Sequence, residues 1–156
     1  MTAKTTKKLP STEAFEKLVG AQATLVRELS AALVASHGLT VNDYGCLLLL
    51  SRAGELGMRR IDLATQLQLS PSGITRLLDR LEDQGLVEKG ACATDARVSY
   101  AILTEDGLEK LREASPGHID DIEARMSAVL SEDEMKTLAE LLSRLSDHGD
   151  GGCAPD

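Results

Sequence analysis

Aromatic residues are scarce in this 156-residue chain, which has no tryptophan, two tyrosines and one phenylalanine. Proteins that bind single-stranded nucleic acid stack bases on several rings, so this scarcity argues against that class. No apolar run exceeds the five residues Cys46–Leu50, and the first ten residues hold three lysines without an apolar segment. Neither a membrane span nor a signal peptide is predicted. We therefore expect a cytoplasmic protein without a membrane partner.

Cysteine and histidine are also few, and they stand at no spacing typical of a zinc site: Cys46, Cys92, Cys153, His37, His118 and His148. An odd number of cysteines does not favour a disulfide framework, so we predict reduced thiols, no metal and no cofactor. The chain also lacks the nucleophile-elbow, phosphate-loop, metal-helix and dinucleotide motifs. An enzyme is therefore not expected.

Negative charge is concentrated at one end of the chain. The net charge of -8 divides into +1 for residues 1–58, 0 for residues 59–104 and -9 for residues 105–156. Electrostatic fields are local and are screened beyond about 10 Å, so an acidic C-terminal part does not prevent an arginine face elsewhere from meeting phosphates.

Three helices are predicted before the middle of the chain. Apolar residues at three- and four-residue steps predict a long amphipathic helix over 11–35. Thr40 and Asp43 resemble a capping box that opens a second helix ending near Arg52. A short third helix is expected over 61–67, with four inward-facing residues: Ile61, Leu63, Ala64 and Leu67.

The next helix is the most informative segment. Ser70 is a good N-cap and Pro71 a good first residue, so we predict a helix over 70–84 that Gly85 ends. Four apolar residues share one face: Ile74, Leu77, Leu78 and Leu81. The other side carries small and basic residues: Ser70, Ser72, Gly73, Thr75, Arg76 and Arg80. Small residues permit close approach to a groove, and arginine binds guanine or phosphate bidentately.

A β-hairpin is predicted after this helix. Residues 86–89 and 98–102 have the pattern of two strands, and residues 90–97 form the loop between them. Helix, turn, helix and hairpin together make a winged helix-turn-helix. Arg97, steadied by Asp95, is placed to enter a minor groove from the wing.

These residues resemble the MarR family of multiple-antibiotic-resistance regulators. The resemblance spans Leu39 to Gly107 and includes three motifs: Asp62-Leu63-Ala64, the run from Leu69 to Glu82 followed by Gly85-Leu86-Val87, and the wing positions Asp95, Arg97, Leu103, Thr104 and Gly107. It implies an obligate homodimer, a recognition helix in the major groove and a wing arginine in the minor groove, usually in a repressor. Unlike many wings of the family, residues 90–94 carry no basic side chain.

The expected architecture is mainly α, an α+β winged helix with about six helices and a small hairpin. A helix should begin at Thr104, with a kink or break at 115–117, and continue to Val129 and Leu130; Ser131 and Glu134 should then open a last helix. The predicted organisation is a flexible tail 1–10, dimerisation helices 11–38 and 104–147, a DNA-binding domain 39–103 and a disordered tail 148–156. A two-fold dimer would read a near-palindromic operator with half-sites about 10 base pairs apart.

The resemblance also implies a small, often phenolic, effector. Arg27, His37 and Tyr44 are candidate polar residues for its binding site. Two alternatives stay open at this stage. The winged helix could serve protein contacts without binding DNA, or the regulator could respond to oxidation through Cys92 or Cys46.

Overall fold

A computed structural model describes residues 9–91 and 99–147. The predicted tails and the tip of the predicted wing fall on residues 1–8, 148–156 and 92–98, outside these ranges. Six helices lie within them: α1 (Pro10–His37), α2 (Val41–Ala53), α3 (Arg60–Gln66), α4 (Pro71–Asp83), α5 (Glu105–Ser127) and α6 (Glu132–Asp147). The strands are β1 (Met58–Arg59), β2 (Val87–Ala91) and β3 (Ser99–Leu103), in the antiparallel order β1-β3-β2. The mainly α winged-helix architecture is confirmed.

The predicted capping box of α2 is present. The Thr40 hydroxyl accepts a hydrogen bond from the Asp43 backbone N–H at 3.1 Å, and the Asp43 carboxylate accepts one from the Thr40 N–H at 2.8 Å. The preceding helix ends at His37, and its C-cap Gly38 has a left-handed φ of 70°. Together these local signals determine where α1 stops and α2 starts.

The sheet differs from the prediction in two places. Strand β1 pairs Met58 with Ala101, and two residues are too short to show the alternation by which a strand is recognised in sequence. Gly90 and Ala91 were predicted in the wing loop, but they lie in β2 opposite Tyr100 and Ser99. A Cβ at Gly90 would come within 2.8 Å of the Ile102 side chain, so the glycine permits close packing inside the hairpin.

The chain divides into two compact units, the first ending at His118 and the second beginning at Ile119. The core of the first unit is made of leucines and one isoleucine that are at most 1% exposed: Leu39, Leu47, Leu50, Leu63, Ile74 and Leu81. The prediction that Ile61 faces inward was wrong, because its side chain is 68% exposed. Leu63 occupies the inward face of the short α3, and a residue two positions away lies about 200° around the helix.

The second unit contains the end of α5 and all of α6. Within α5 the chain passes Pro116 without a break, although proline removes one N–H donor from the helix. The helix ends at Ser127, so Val129 and Leu130, predicted inside it, lie beyond its end. The predicted capping box of α6 is confirmed, since Glu134 accepts hydrogen bonds from the Ser131 N–H and hydroxyl at 2.8 and 2.9 Å.

A close backbone contact joins the start of α5 to the end of the helix-turn-helix. Thr104 donates its hydroxyl to the Gly85 carbonyl at 2.7 Å and accepts from the Gly107 N–H at 3.0 Å. A Cβ at Gly107 would lie well inside 3.0 Å of the Leu86 carbonyl oxygen. Glycine is required here because two backbones approach each other with no room for a side chain.

Replacing Gly107 by alanine should lower the free energy of unfolding by about 1–3 kcal/mol, because the methyl group forces this contact apart. Gly117→Ala, on the same helix, is the matched control. No atom lies within 4 Å of its added Cβ, and alanine there should raise stability by up to about 1 kcal/mol. Urea unfolding of both variants measures the difference; equal effects would contradict the packing argument.

Candidate nucleic-acid interface

The start of α4 is defined by its N-cap, Ser70, and its first residue, Pro71. The Ser70 hydroxyl accepts a hydrogen bond from the Gly73 N–H at 3.1 Å, and Pro71 occupies the first helical position. A Cβ on Gly73 would approach the Ser70 hydroxyl oxygen to 3.1 Å, so a small residue preserves the cap. The cap satisfies one of the N–H groups that the first turn of a helix leaves without an intrahelical partner.

The two predicted faces of α4 are present. Its apolar side is buried through Ile74, Leu77, Leu78 and Leu81. On the other side Ser70, Ser72, Arg76 and Arg80 are exposed, and Gly73 and Thr75 are half-buried. Ser72 and Ser70 are linked through their hydroxyl oxygens, 3.2 Å apart, and the Thr75 hydroxyl donates to the Pro71 carbonyl at 2.8 Å. The structure therefore gathers the predicted major-groove residues on one exposed surface.

The two arginines of this surface have different surroundings. A guanidinium N–H of Arg80 donates to the buried Asp43 carboxylate on α2. Arg76 forms no ion pair among the described residues and is exposed. Arg80 was predicted to contact DNA directly. Its ion pair with Asp43, 37 residues away in the chain, was not predicted.

Arg60 extends the surface beyond what the sequence indicated. It is exposed at the first position of α3, and its guanidinium lies 3.4 Å from the Thr75 hydroxyl of α4. Its neighbour Arg59 is held by Asp62 at 2.7 Å. The Arg59-Arg60 pair was the available signal, but only the packing of α3 against α4 shows which of the two adjoins Thr75.

Lysine on the hairpin is neutralised locally. Lys89 lies 2.7 Å from Glu82 and 3.4 Å from Asp79, and these carboxylates raise the pKa of its ammonium group. Exposed pairs of this kind contribute little to stability, but they remove a cation from those able to meet phosphates. Arg60 and Arg76 are thus the cations beside Thr75 that no described carboxylate neutralises.

The predicted wing-tip residues Asp95 and Arg97 lie outside the described residues. The three candidate effector residues are placed separately: Arg27 is exposed on α1, His37 is half-buried at its end, and Tyr44 is buried on α2. No hydrogen bond joins them within the described ranges. Tyr44 instead shares a 3.1 Å hydrogen bond with Ser115, and its ring lies 4.5 Å from the His118 ring.

None of the three candidate effector residues lines either of two depressions found among the described residues of the first unit. One, of about 30 Å³, lies between α4 and the sheet beside Thr75 and Tyr100. It has room for little more than a water molecule. The other is an open surface depression bordered by Glu105, Glu109, Arg112 and Glu113. Among the described residues no group of three or more histidine, cysteine or acidic side chains could hold a metal ion.

The fold is that of a winged helix-turn-helix protein. It has a helix-turn-helix of α3 and α4, with one face of α4 exposed, followed by a hairpin of β2 and β3. Comparison with known proteins agrees. The model of the MarR family matches residues 37–98. The HTH-type transcriptional regulator MhqR of Bacillus subtilis is 33% identical over 112 residues, which cover 72% of this chain and 75% of the relative. The chain belongs to the MarR family of transcriptional regulators, as the resemblance predicted.

Two further comparisons extend this result. The HTH-type transcriptional repressor Rv2887 of Mycobacterium tuberculosis is 30% identical over 123 residues, covering 79% of this chain and 86% of the relative. The structure of Sco3205, a MarR family regulator from Streptomyces coelicolor solved in complex with DNA, is similar with a TM-score of 0.82. That match has 25% identity and covers 96% of this chain and 95% of the other. The prediction that the chain is not an enzyme agrees with these regulator names.

Of the cysteines, only Cys46 lies in the described ranges, and it is fully buried in α2. Burial, reinforced by the nearby Asp43 carboxylate, raises the pKa of its thiol to about 12. A thiol that stays protonated is a poor nucleophile and a poor redox sensor. Cys46 is therefore a poor candidate for the oxidation-sensing residue of the redox alternative, and Cys92 lies outside the described residues.

A variant with Cys46 as its only cysteine (Cys92→Ser, Cys153→Ser) should be alkylated by iodoacetamide at pH 8 at least about 100-fold more slowly when folded than in urea. The thiol should also make the free energy of unfolding fall between pH 9 and about 12, because the unfolded thiol ionises first. Mass spectrometry measures the alkylation. Similar rates in the folded and unfolded chain would refute the assignment of Cys46 as inert.

Proposed function

We propose that this regulator binds double-stranded DNA as a two-fold dimer, with α4 in the major groove and the segment 90–97 in the minor groove. The observation that carries the proposal is the division of α4 into a fully buried apolar face and an exposed face of small residues and arginine. A helix that presents its N-terminus and small side chains can approach the duplex closely, and its N–H groups can meet phosphate.

Two groups at this surface suit different parts of the duplex. Arg76 is one turn after Ser72, exposed and without a described carboxylate partner, which suits a bidentate contact to guanine. Arg60, beside Thr75, suits a backbone phosphate at the edge of the groove. Asp95 and Arg97 are proposed for the minor groove on the family resemblance alone. The similar Streptomyces regulator solved with DNA supports this use of the fold.

Exposed apolar rows on the first and last helices support dimerisation. On α1, Phe15 and Val19 are 66% and 48% exposed; on α6, Leu141 and Leu145 are 49% and 65% exposed. Rows of this kind are costly in water, and a second copy of the chain would cover them. A symmetric pair of α4 helices would then require a near-palindromic operator with half-sites about 10 base pairs apart.

The α1 helix is long and apolar enough to cross a membrane by length and composition alone. Its central Arg27 and Glu28 are both exposed, and charged side chains near the middle of a span are costly in a bilayer. We therefore assign its apolar row to the partner protomer. A regulator of transcription acts where the chromosome lies, which places the protein in the cytoplasm.

Repression, and release by a small phenolic ligand, complete the proposal. Repression is supported by the similar mycobacterial repressor. The effector rests on family membership, with Arg27, His37 and Tyr44 as its proposed contacts. Selection of bound genomic fragments by the purified protein, repeated with candidate phenolic acids, identifies the operator first and then the ligand that releases it.

Arg76→Ala and Arg97→Ala should each weaken binding to the selected operator by about 1–3 kcal/mol, because each removes a contact in a groove. Arg60→Ala should weaken binding to all duplexes alike and reduce the slope of log affinity against log salt by about 1. Fluorescence anisotropy over a salt series measures both quantities. Arg112→Ala, an exposed arginine on α5, is the matched control and should change affinity less than about twofold.

Salt-independent binding, or no binding to any genomic fragment, would contradict the DNA-binding proposal. Either outcome would favour a winged helix used for protein contacts.

Leu141→Glu should dissociate the dimer, because it places a charge in the apolar row of α6. Ser143→Glu adds the same charge at an exposed position off that row and should leave the dimer intact. Analytical ultracentrifugation measures the mass of each variant. A monomeric wild-type chain, or a dimeric Leu141→Glu variant, would refute the assigned interface.

A further inference from the structure

The carboxylate of Asp43 serves two helices at once. Its Oδ2 accepts hydrogen bonds from the Thr40 N–H and hydroxyl, both at 2.8 Å, which caps α2. Its Oδ1 accepts an N–H of the Arg80 guanidinium on α4. The Asp43 side chain is 2% exposed, whereas that of Arg80 is 47% exposed. The pair therefore connects a buried anion to a cation at the surface that carries Arg76.

The cap of α2 does not account for this ion pair. At the start of α6 the same capping box forms between Ser131 and Glu134, again with one carboxylate oxygen taking both donors. No cation pairs with Glu134 among the described residues, and its box is complete without one. Arg80 is thus an addition to the cap of Asp43, made possible because α2 and α4 pack together.

The position of Arg80 on α4 indicates what the ion pair with Asp43 could do. Ser72, Arg76 and Arg80 are spaced four residues apart, so they follow one another along the exposed side of α4. A guanidinium has five N–H donors in a rigid fork, and the bond to Asp43 leaves others available. An anchored fork presents those donors in one direction, and its charge is partly compensated by the carboxylate.

We propose that Asp43 is a positioning residue for DNA recognition: its buried carboxylate holds the Arg80 guanidinium in one orientation on the exposed face of α4, so that Arg80 discriminates between sequences. This inference rests on the proposed function. Without the carboxylate, Arg80 becomes a mobile, uncompensated cation that meets phosphates of any sequence. Asp43 then acts on specificity without touching the duplex.

The test compares the affinity of the full chain for its selected operator with that for a mixed-sequence duplex of equal length, over a salt series. Asp43→Asn keeps an acceptor for the Thr40 N–H and loses the charge. It should lower the ratio of specific to nonspecific affinity about tenfold and steepen the nonspecific salt slope by about 1. Thermal melting followed by circular dichroism confirms that the variant folds.

Two controls separate orientation of Arg80 from other effects. Asp62→Asn makes the same charge change beside the exposed Arg59, and Thr40→Ala weakens the α2 cap without removing the carboxylate. Both should keep the affinity ratio within about twofold of wild type. A fall in the ratio as large as that of Asp43→Asn in either control would overturn the inference.

Arg80→Lys tests the same claim from the partner whose side chain is 47% exposed. It retains the charge and loses the planar fork, so the ratio should fall about tenfold while nonspecific affinity stays within about twofold. An unchanged ratio in Arg80→Lys, or in a folded Asp43→Asn, refutes the positioning role alone. A wild-type chain that binds no duplex refutes the proposed function, and this inference with it.

Discussion

Burial of the apolar face of α4 is the constraint on which the candidate interface depends. Ile74, Leu77 and Leu81 are at most 4% exposed and belong to one core with Leu47 and Leu63. Each such side chain stabilises the fold by roughly 1.5–3 kcal/mol when fully buried. Rotating the helix about its axis would expose all of them together. The outward direction of Ser72 and Arg76 is therefore set by the cost of exposing the opposite face.

Local ion pairs decide which cations this surface offers. Asp43 holds Arg80, Asp62 holds Arg59, and Asp79 and Glu82 hold Lys89. Arg60 and Arg76 are left beside Thr75 without a described carboxylate partner. The net charge of -8 is therefore a poor guide to this surface, because neutralisation acts between atoms a few ångströms apart. The charge that this surface presents is therefore set by local ion pairs and not by the overall composition.

Two kinds of site residue differed in how well they could be predicted. The cap at Ser70 and the polar stripe through Arg76 arise from spacing within one helix. The position of the cap and the exposed side of the helix were both predicted correctly. The partner of Arg80 and the proximity of Arg60 to Thr75 each join helices that are distant in sequence. Helical periodicity contains no information about which neighbouring helix supplies the partner. These two features required the packing of α2 and α3 against α4.

The amino-acid sequence alone determined the family, the capping boxes at Thr40 and Ser131, and the inward and outward faces of α4. These features depend on contacts within four residues or on a helical period, which can be read along the chain. Only the tertiary structure decided that Gly90 belongs to a strand, that Ile61 is exposed and that the Asp43 carboxylate meets Arg80. Each of these depends on which surfaces of distant segments pack together. The free energy of that packing comes from contacts between two elements, so the pattern of either element alone does not predict it.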